Sequence, residues 1–333
     1  FRIGVHLLRG ISNIDETRAQ YAILSEVVLR VLWSEVTLNF SKTHGKPPGN
    51  GAAILSMGSL GGKQLNSTSD LDLIIIYDSK HNEISVGSKP LESRVYYPRL
   101  TKALVTAMTA EMKHGKLYEL DMRLRPSGRK GPVATSWHAF KDYQMNEAWI
   151  WEHLALTRGR FICGKIQLEK SFKLFRTKLF RNVDKQLAIQ ALSEMRLKIK
   201  ETTSELNQLE CKRGAGRIQD IELLSQLCTL INGEEVQDVI SGLAGGLKAG
   251  LMNNLQLKKI IKTYKFLQVT NTASRLIWDK NQQTQKITDS GYSFLLKLTE
   301  RATKKDLVDD LVTLTSEAAD LIDQVLLKKR LKK

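Results

Sequence analysis

The chain has 333 residues, of which 42% are hydrophobic, so it can bury a sizeable core and is long enough for about two or three domains. No apolar run approaches the roughly 18 residues that a membrane-spanning helix needs, and the N-terminal segment lacks a secretory signal pattern, so we expect a cytoplasmic protein with no membrane partner. The three cysteines have no CxxC spacing, which predicts neither a disulfide framework nor a zinc site.

The formal net charge of +16 admits an acidic protein partner, a polyphosphate substrate or a nucleic acid. Basic residues are scattered through the second half of the chain, and the densest run, at 326–333, is typical of a solvated helix end. No interleaved aromatic pattern of the RNA-recognition type accompanies that charge. Nucleic acid is therefore not the expected partner.

The order of predicted elements indicates an α+β protein. Helical apolar spacing at 15–40 predicts a helix that fills most of a helical lead segment, residues 1–45. A Pro- and Gly-rich loop then opens a mixed domain at 46–165, and nearly all of 166–333 has the character of a helical bundle domain. Within the mixed domain we expect a helix that ends at Gly115 and strands at 71–77, 117–124 and 133–135.

Asp70 and Asp72 stand at the start of the strongly apolar strand predicted at 71–77. Because successive side chains of a strand point to opposite faces, both carboxylates lie on one face, about 7 Å apart. They repel each other, and burial would add a desolvation cost that a divalent cation removes. Mg²⁺ commonly binds one or two carboxylates together with substrate phosphates and water. The pattern therefore predicts a Mg²⁺ site.

The second strand, predicted at 117–124, supports this site independently. Alternation places Asp121, Arg123 and Arg125 on one face of that strand. Asp121 would add a third carboxylate to the metal cluster. The two arginines would meet a polyphosphate with planar, permanently charged groups.

The turn that precedes the first strand completes the predicted site. Its glycines, Gly58, Gly61 and Gly62, permit a close approach of the backbone. Ser59, Lys63 and neighbouring backbone N–H groups could hold phosphate oxygens. The turn matches neither the P-loop nor the GxGxxG pattern.

These stretches resemble known sequences. The nucleotidyltransferase superfamily of DNA polymerase β has a Gly-Ser…Asp-x-Asp signature, which is similar to "GSLGGKQLNSTSDLDL". Four blocks resemble, in order, the bacterial glutamine synthetase adenylyltransferase/adenylyl-removing enzyme family: "MGSLGGKQLNSTSDLDLIIIYD", "YELDMRLRPSGRKGPV", "YQMNEAWIWEHLALTRGR" and "KRGAGRIQDIELLSQ". Two of them, through "RLRPSG" and "NEAWIWEHLAL", look like the C-terminal, adenylylating copy. The resemblance implies a polymerase-β-like nucleotidyltransferase domain with a small mixed sheet, followed by a helical bundle domain.

The resemblance also implies roles for individual residues. Asp70 and Asp72 would hold two Mg²⁺ ions with Asp121 as the third metal carboxylate, and Gly58 and Ser59 would contact the nucleotide phosphates. The implied reaction is attack of a tyrosine hydroxyl of glutamine synthetase on the α-phosphorus of ATP, with pyrophosphate leaving. Glutamine synthetase is the implied partner, and a PII-type signal protein is a further candidate. Since the chain contains one Asp-x-Asp signature, the adenylyl-removing domain is expected to be absent from it.

Two alternatives stay open at this point. One is a nucleotidyltransferase that acts on RNA or on a small molecule, and the other is a degenerate nucleotide-binding regulatory module. The chain also departs from the family pattern, since Ser59 stands where a basic residue is more common, and Arg217 and Leu223 differ in the last block. These departures leave the three predicted metal carboxylates intact.

Two smaller features lie outside the predicted site. The helical spacing of Trp149 and Trp151 favours core packing over a substrate platform. Asp220 follows a glycine-rich break, where it is expected to begin a helix.

Overall fold

A computed structural model describes residues 1–80, 83–202, 209–233, 235–277 and 287–327. The part of the basic run 326–333 beyond residue 327 lies outside the described residues. The chain divides into two compact units, drawn differently from the predicted domains of 1–45, 46–165 and 166–333. The sheet unit comprises Ala19–Leu65 and Ser69–Asn182, and the helical unit comprises Phe1–Arg18, Asn66–Thr68 and Val183–Lys333.

The sheet unit contains five short strands and six α-helices among its described residues. The strands are β1 (Gly51–Ser56), β2 (Leu71–Asp78), β3 (Leu120–Asp121), β4 (Thr135–Ser136) and β5 (Arg160–Gly164). The helices are α2 (Ile14–His44, in this unit from Ala19 onward), α3 (Gly58–Gly61), α4 (Ser93–Thr109), α5 (Trp137–Asn146), α6 (Ile150–Leu156) and α7 (Ile166–Arg181).

The five strands form one mixed sheet around β2. The strand order is β3-β2-β1-β5, with β1 antiparallel to both of its neighbours. Strands β3 and β4 both pair in parallel with β2, β3 near its start and β4 near its end. Residues Leu71, Leu73 and Ile75 are buried in one core with Tyr96 and Leu100 of α4. Because β2 is buried on both faces after Asp72, it reads as a continuous apolar run.

Several predicted elements are confirmed. The helix expected at 15–40 is α2, the strand expected at 71–77 is β2, and a short strand follows near 133–135 as β4. The strand expected at 117–124 is wrong in its length, since only Leu120–Asp121 is strand. The chain leaves the sheet directly after Asp121, where the backbone N–H of Arg123 donates to the Asp121 carboxylate at 2.8 Å and closes a turn.

The predicted core role of the tryptophans is also wrong. Trp149 is 71% exposed and lies directly before α6, where its backbone N–H contacts Glu152 Oε1 at 3.4 Å. Trp151 is exposed as well. Helical spacing indicates which residues share a helix face, but not which face is covered.

The helical unit has no strand among its described residues. It contains α1 (Arg2–Leu8), α8 (Lys185–Thr202), α9 (Ile218–Asn232), α10 (Val239–Lys248), α11 (Asn254–Ile277), α12 (Asp289–Thr299) and α13 (Lys304–Leu327). Asp220 lies in the first turn of α9, as predicted, and is buried against Arg196 of α8. The α+β class is therefore confirmed. In the part of the chain that the structure describes, no helix combines the length and the apolar character needed to span a membrane.

Candidate active site

The backbone at the start of the short helix α3 packs against the start of β2. The N–H of Met57 donates to the carbonyl of Asp72 at 2.8 Å, which fixes the entry to the turn. Gly58 follows with φ +51°, a conformation that side-chain-bearing residues rarely adopt. A Cβ at Gly58 would lie 2.2 Å from Asp72 Oδ2. Glycine is thus required here both for its conformation and for the space that the carboxylate occupies.

Two of the predicted carboxylates are neighbours across the sheet. Asp72 and Asp121 are partners in the parallel pairing of β2 with β3, which is anchored by a 2.9 Å hydrogen bond from Leu71 N to Glu119 O. Asp72 and Asp121 are half-buried, while Asp70, directly before β2, is exposed. Residues from two separate stretches of sequence therefore meet at one edge of β2.

Arg123 supplies positive charge to this edge. Its Nε lies 2.8 Å from Asp121 Oδ2, and its Nη2 contacts the same oxygen. The hydrogen bond from Arg123 lowers the pKa of Asp121, so this carboxylate is anionic near neutral pH. The hydrogen bond to Asp121 raises the pKa of Arg123, and the charges of Asp72 and Asp70 act in the same direction. All three carboxylates therefore favour the protonated, cationic form of Arg123.

Within the described ranges, no group of three or more His, Cys, Asp or Glu side chains has the arrangement of a metal site. The chemistry of the donors nevertheless suits a hard cation, since the carboxylates offer oxygen ligands and Asp121 is anionic. A cation at this edge would require Asp121 to exchange its bonds with Arg123 for bonds to the metal. Arg123 is largely exposed, so its side chain has room to move away.

Arg125 has a different surrounding from the one that strand alternation predicts. Its guanidinium donates to the carbonyls of Met122 at 2.7 Å, Gly131 at 3.1 Å and Pro132 at 3.0 Å. These bonds hold the loop that follows β3. Arg125 therefore stabilises the backbone of this loop in the structure. Its predicted contact with phosphate stays a prediction.

The two remaining predicted residues lie in the turn. Ser59 is half-buried, and its carbonyl accepts a hydrogen bond from Gln64 N at 2.8 Å. Lys63 is exposed with φ +54°, and its N–H donates to Leu60 O at 3.0 Å. The turn is therefore a closed, hydrogen-bonded loop with a cationic side chain at its far end.

The structure adds two residues that the sequence did not indicate. Arg160, at the start of β5, donates to the carbonyls of Leu60 and Gly61 in α3, at 3.0 and 3.2 Å. Glu26 of α2 binds the same guanidinium at 2.6 Å. Arg160 lies within the third of the four blocks, but no local pattern connects it to a turn about a hundred residues earlier in the chain.

With this geometry in place, comparison with known proteins identifies the family. A family model described as glutamate-ammonia ligase adenylyltransferase matches residues 1–174, which is more than half of the chain. The chain belongs to that family. The match includes every carboxylate and turn residue of the candidate site.

Curated proteins give the same result. Three relatives are each named bifunctional glutamine synthetase adenylyltransferase/adenylyl-removing enzyme. The protein of Agrobacterium fabrum is 38% identical over 233 residues (69% of this chain), that of Bradyrhizobium diazoefficiens 37% over 242 residues (72%), and that of Rhodopseudomonas palustris 33% over 284 residues (85%). The matched stretches make up only 24%, 24% and 28% of the respective relatives, so this chain spans about a quarter of their length.

Proposed function

We propose that this chain transfers AMP from ATP to a tyrosine hydroxyl of glutamine synthetase and releases pyrophosphate. In a bacterium, that modification would regulate nitrogen assimilation. The observation that supports the proposal most is the adjacency of Asp72 and Asp121 on paired parallel strands, with the backbone of Gly58 against Asp72. The names of the curated relatives supply the acceptor protein.

Asp70, Asp72 and Asp121 are the residues proposed to hold two Mg²⁺ ions. When bound, the metal would supply Lewis-acid stabilisation of the charge that develops on the nucleotide phosphates and on the leaving pyrophosphate. The carboxylate chemistry fits this role, and the low pKa of Asp121 keeps that ligand ionised across the physiological range.

The chain's own residues would orient the nucleotide. Gly58 and Ser59 are proposed to contact its phosphates, since this part of the turn lies against Asp72. Lys63 and Arg123 are exposed cations that could approach the leaving pyrophosphate. The bond formed joins the tyrosine oxygen to the α-phosphorus, the bond broken joins that phosphorus to the bridging oxygen of pyrophosphate, and the hydroxyl proton passes to solvent. Binding and orientation of this kind supply much of the rate in phosphoryl-transfer enzymes.

A second candidate is favoured by the net charge of +16, which suits a polyanionic acceptor such as RNA. An RNA-directed enzyme would show binding that weakens steeply with salt. A chain that only binds nucleotide, as a regulatory module, would transfer AMP to neither acceptor.

The test uses ATP labelled at the α-phosphate, Mg²⁺ and two parallel acceptors, purified glutamine synthetase and RNA. Asp72→Asn removes one carboxylate of the candidate site. Asp78→Asn is its matched control, because Asp78 ends the same strand and binds Asn50 at 2.9 Å, outside the site. We expect label on glutamine synthetase from the wild type and from Asp78→Asn, and none from Asp72→Asn.

Other outcomes would contradict the proposal in distinct ways. Label on RNA alone would support the second candidate. Bound ATP without transfer to either acceptor would indicate a regulatory module. Regulation by a PII-type signal protein is part of the same proposal, and a transfer rate that does not respond to that protein would remove it.

A further inference from the structure

Arg160 joins three separate parts of the sheet unit. Its backbone lies at the start of β5, paired with Ser56 of β1, and its carbonyl accepts a hydrogen bond from Ser56 Oγ at 3.1 Å. Its side chain contacts the carbonyls of α3 and, through Nη2, Oε1 of Glu26 at 2.6 Å. The side chains of Arg160 and Glu26 are only 15% and 13% exposed. The contact is therefore built into the interior rather than formed at the surface.

The chemistry of these contacts requires arginine. A guanidinium presents several N–H donors in one plane, so a single side chain can serve two carbonyls and a carboxylate together. A lysine ammonium at Arg160 would carry the charge but would lack the fixed, forked geometry. Glu26 balances the charge, and its second oxygen lies 3.9 Å from Arg30 Nη2.

The carbonyls that Arg160 holds belong to the same turn that meets Asp72. Leu60 O accepts from both Lys63 N and Arg160, each at 3.0 Å. At Gly61 a Cβ would lie 2.0 Å from the carbonyl oxygen of Arg158, so the segment before β5 packs directly on the turn. The turn is thus fixed at Leu60 and Gly61 by Arg160 of β5, while Gly58 faces the carboxylate of Asp72 on β2.

We infer that Arg160 is a positioning residue that, together with Glu26, fixes the turn 57–64 relative to Asp72. The effect on catalysis rests on the proposed function, because it assumes that this turn binds the nucleotide phosphates. A reacting group displaced by about 1 Å can lower a rate by about 100-fold, even when the mutated residue does not touch the substrate. Loss of the Arg160 contacts should act in this way.

The first measurement concerns the turn itself and needs no substrate. Hydrogen–deuterium exchange is followed in the full chain for peptides spanning 57–64, in the wild type and in Arg160→Lys, Arg160→Gln and Glu26→Gln. We expect faster exchange of that turn in all three variants, with the rest of the sheet unit unchanged. The control is Lys173→Gln, which breaks an exposed pair with Glu169 on α7 and should leave the turn as in the wild type. Unchanged exchange in Arg160→Gln would overturn the inference.

The second measurement concerns catalysis. In Arg160→Ala we expect kcat/KM for ATP to fall by about 100-fold, with the KM for the acceptor protein unchanged, and to recover in part when millimolar guanidinium ion is added. Because added guanidinium can replace the lost contacts only if the rest of the site is still folded, an activity loss without any recovery would overturn the positioning role. A wild type that transfers no AMP, but whose turn loses protection in the Arg160 variants, would contradict the proposed function and uphold the inference about the turn.

Discussion

The sheet unit and the helical unit each contain an arginine–aspartate pair, but the two pairs have different surroundings. Arg123 and Asp121 are two residues apart at the end of β3, and their side chains are 63% and 18% exposed. Arg196 and Asp220 come from α8 and α9, and their side chains are 4% and 3% exposed. The buried pair is extended by Asp323 of α13, which also binds Arg196.

The difference in burial makes Arg196–Asp220 a structural pair, whereas Arg123 and Asp121 can exchange each other for other partners. A buried charge that loses its partner has no water to replace it, so Arg196 and Asp220 must stay together. Asp220 also accepts from the N–H of Gly216 at 2.7 Å, which ties the loop before α9 into the same network. An exposed pair contributes little to stability, because water solvates each partner when the two separate. Arg123 can therefore release Asp121 to another cation at low cost.

The largest expected effect follows if Asp121 exchanges Arg123 for a bound cation. Asp121→Asn, like Asp72→Asn, should lower AMP transfer to glutamine synthetase by a thousandfold or more, on the order of several kcal/mol of lost transition-state stabilisation. The melting temperature should stay near that of the wild type, because Arg123 is largely exposed and water solvates it when Asp121 no longer binds it. Initial rates and thermal unfolding of the same samples check both statements. Near-normal transfer in either variant would mean that the metal site lies elsewhere.

The converse is expected for the buried pair. Asp220→Ala should destabilise the protein by about 3 kcal/mol, because it leaves the buried guanidinium of Arg196 without its bidentate partner. Urea unfolding monitored by circular dichroism measures this change. The matched control is Asp310→Asn, which breaks a more exposed pair with Arg301 in the same unit and should change stability by less than about 1 kcal/mol. Equal stability of the two variants would remove the distinction between the pairs.

The sequence predicted the parts of the site that depend on local pattern. The apolar run of β2 places Asp72 at the start of a strand, and the second acidic stretch supplies Asp121 for the neighbouring strand. Strand alternation failed after Asp121, because the side chain of that residue accepts the N–H of Arg123 and closes a turn. The contact between Arg160 and Glu26 joins residues 134 positions apart, so no local pattern could indicate it.

Gly58 offers a change that should affect the site without removing a charge. Gly58→Ala places a Cβ only 2.2 Å from Asp72 Oδ2 and forces a side-chain-bearing residue to φ +51°. We expect transfer to fall by about 10- to 100-fold as the carboxylate shifts, and stability to fall by about 1 kcal/mol. The control is Gly115→Ala, where φ is also positive but no atom lies within 4 Å of the added Cβ. If both variants lose transfer equally, backbone strain rather than the contact with Asp72 is responsible.

A smaller effect is expected from acid. The folded pKa of Asp121 is depressed below its ordinary value of 3.8 by the hydrogen bond from Arg123. The pair therefore stabilises the fold fully above that ordinary value, and the contribution is lost as the pH falls through the lower, folded pKa. The difference in melting temperature between wild type and Asp121→Asn should be small and positive near neutral pH and should shrink in acid. A difference that grows in acid would contradict the assigned direction.

The two units can also be compared through the pKa values of their cysteine thiols. Substitution of a thiol is expected to have the smallest effect on AMP transfer. Burial raises the pKa of Cys163 in the sheet unit to about 11 and that of Cys228 in the helical unit to about 12. At about pH 8 only about one Cys163 thiol in a thousand is ionised, so alkylation by iodoacetamide should be slow, and slower still for the fully buried Cys228. Cys163→Ser should leave AMP transfer within a few-fold of the wild type, because no step of the proposed reaction uses a thiol. Rapid alkylation of Cys163 with loss of transfer in a folded chain would show instead that this thiol lies at the reacting groups.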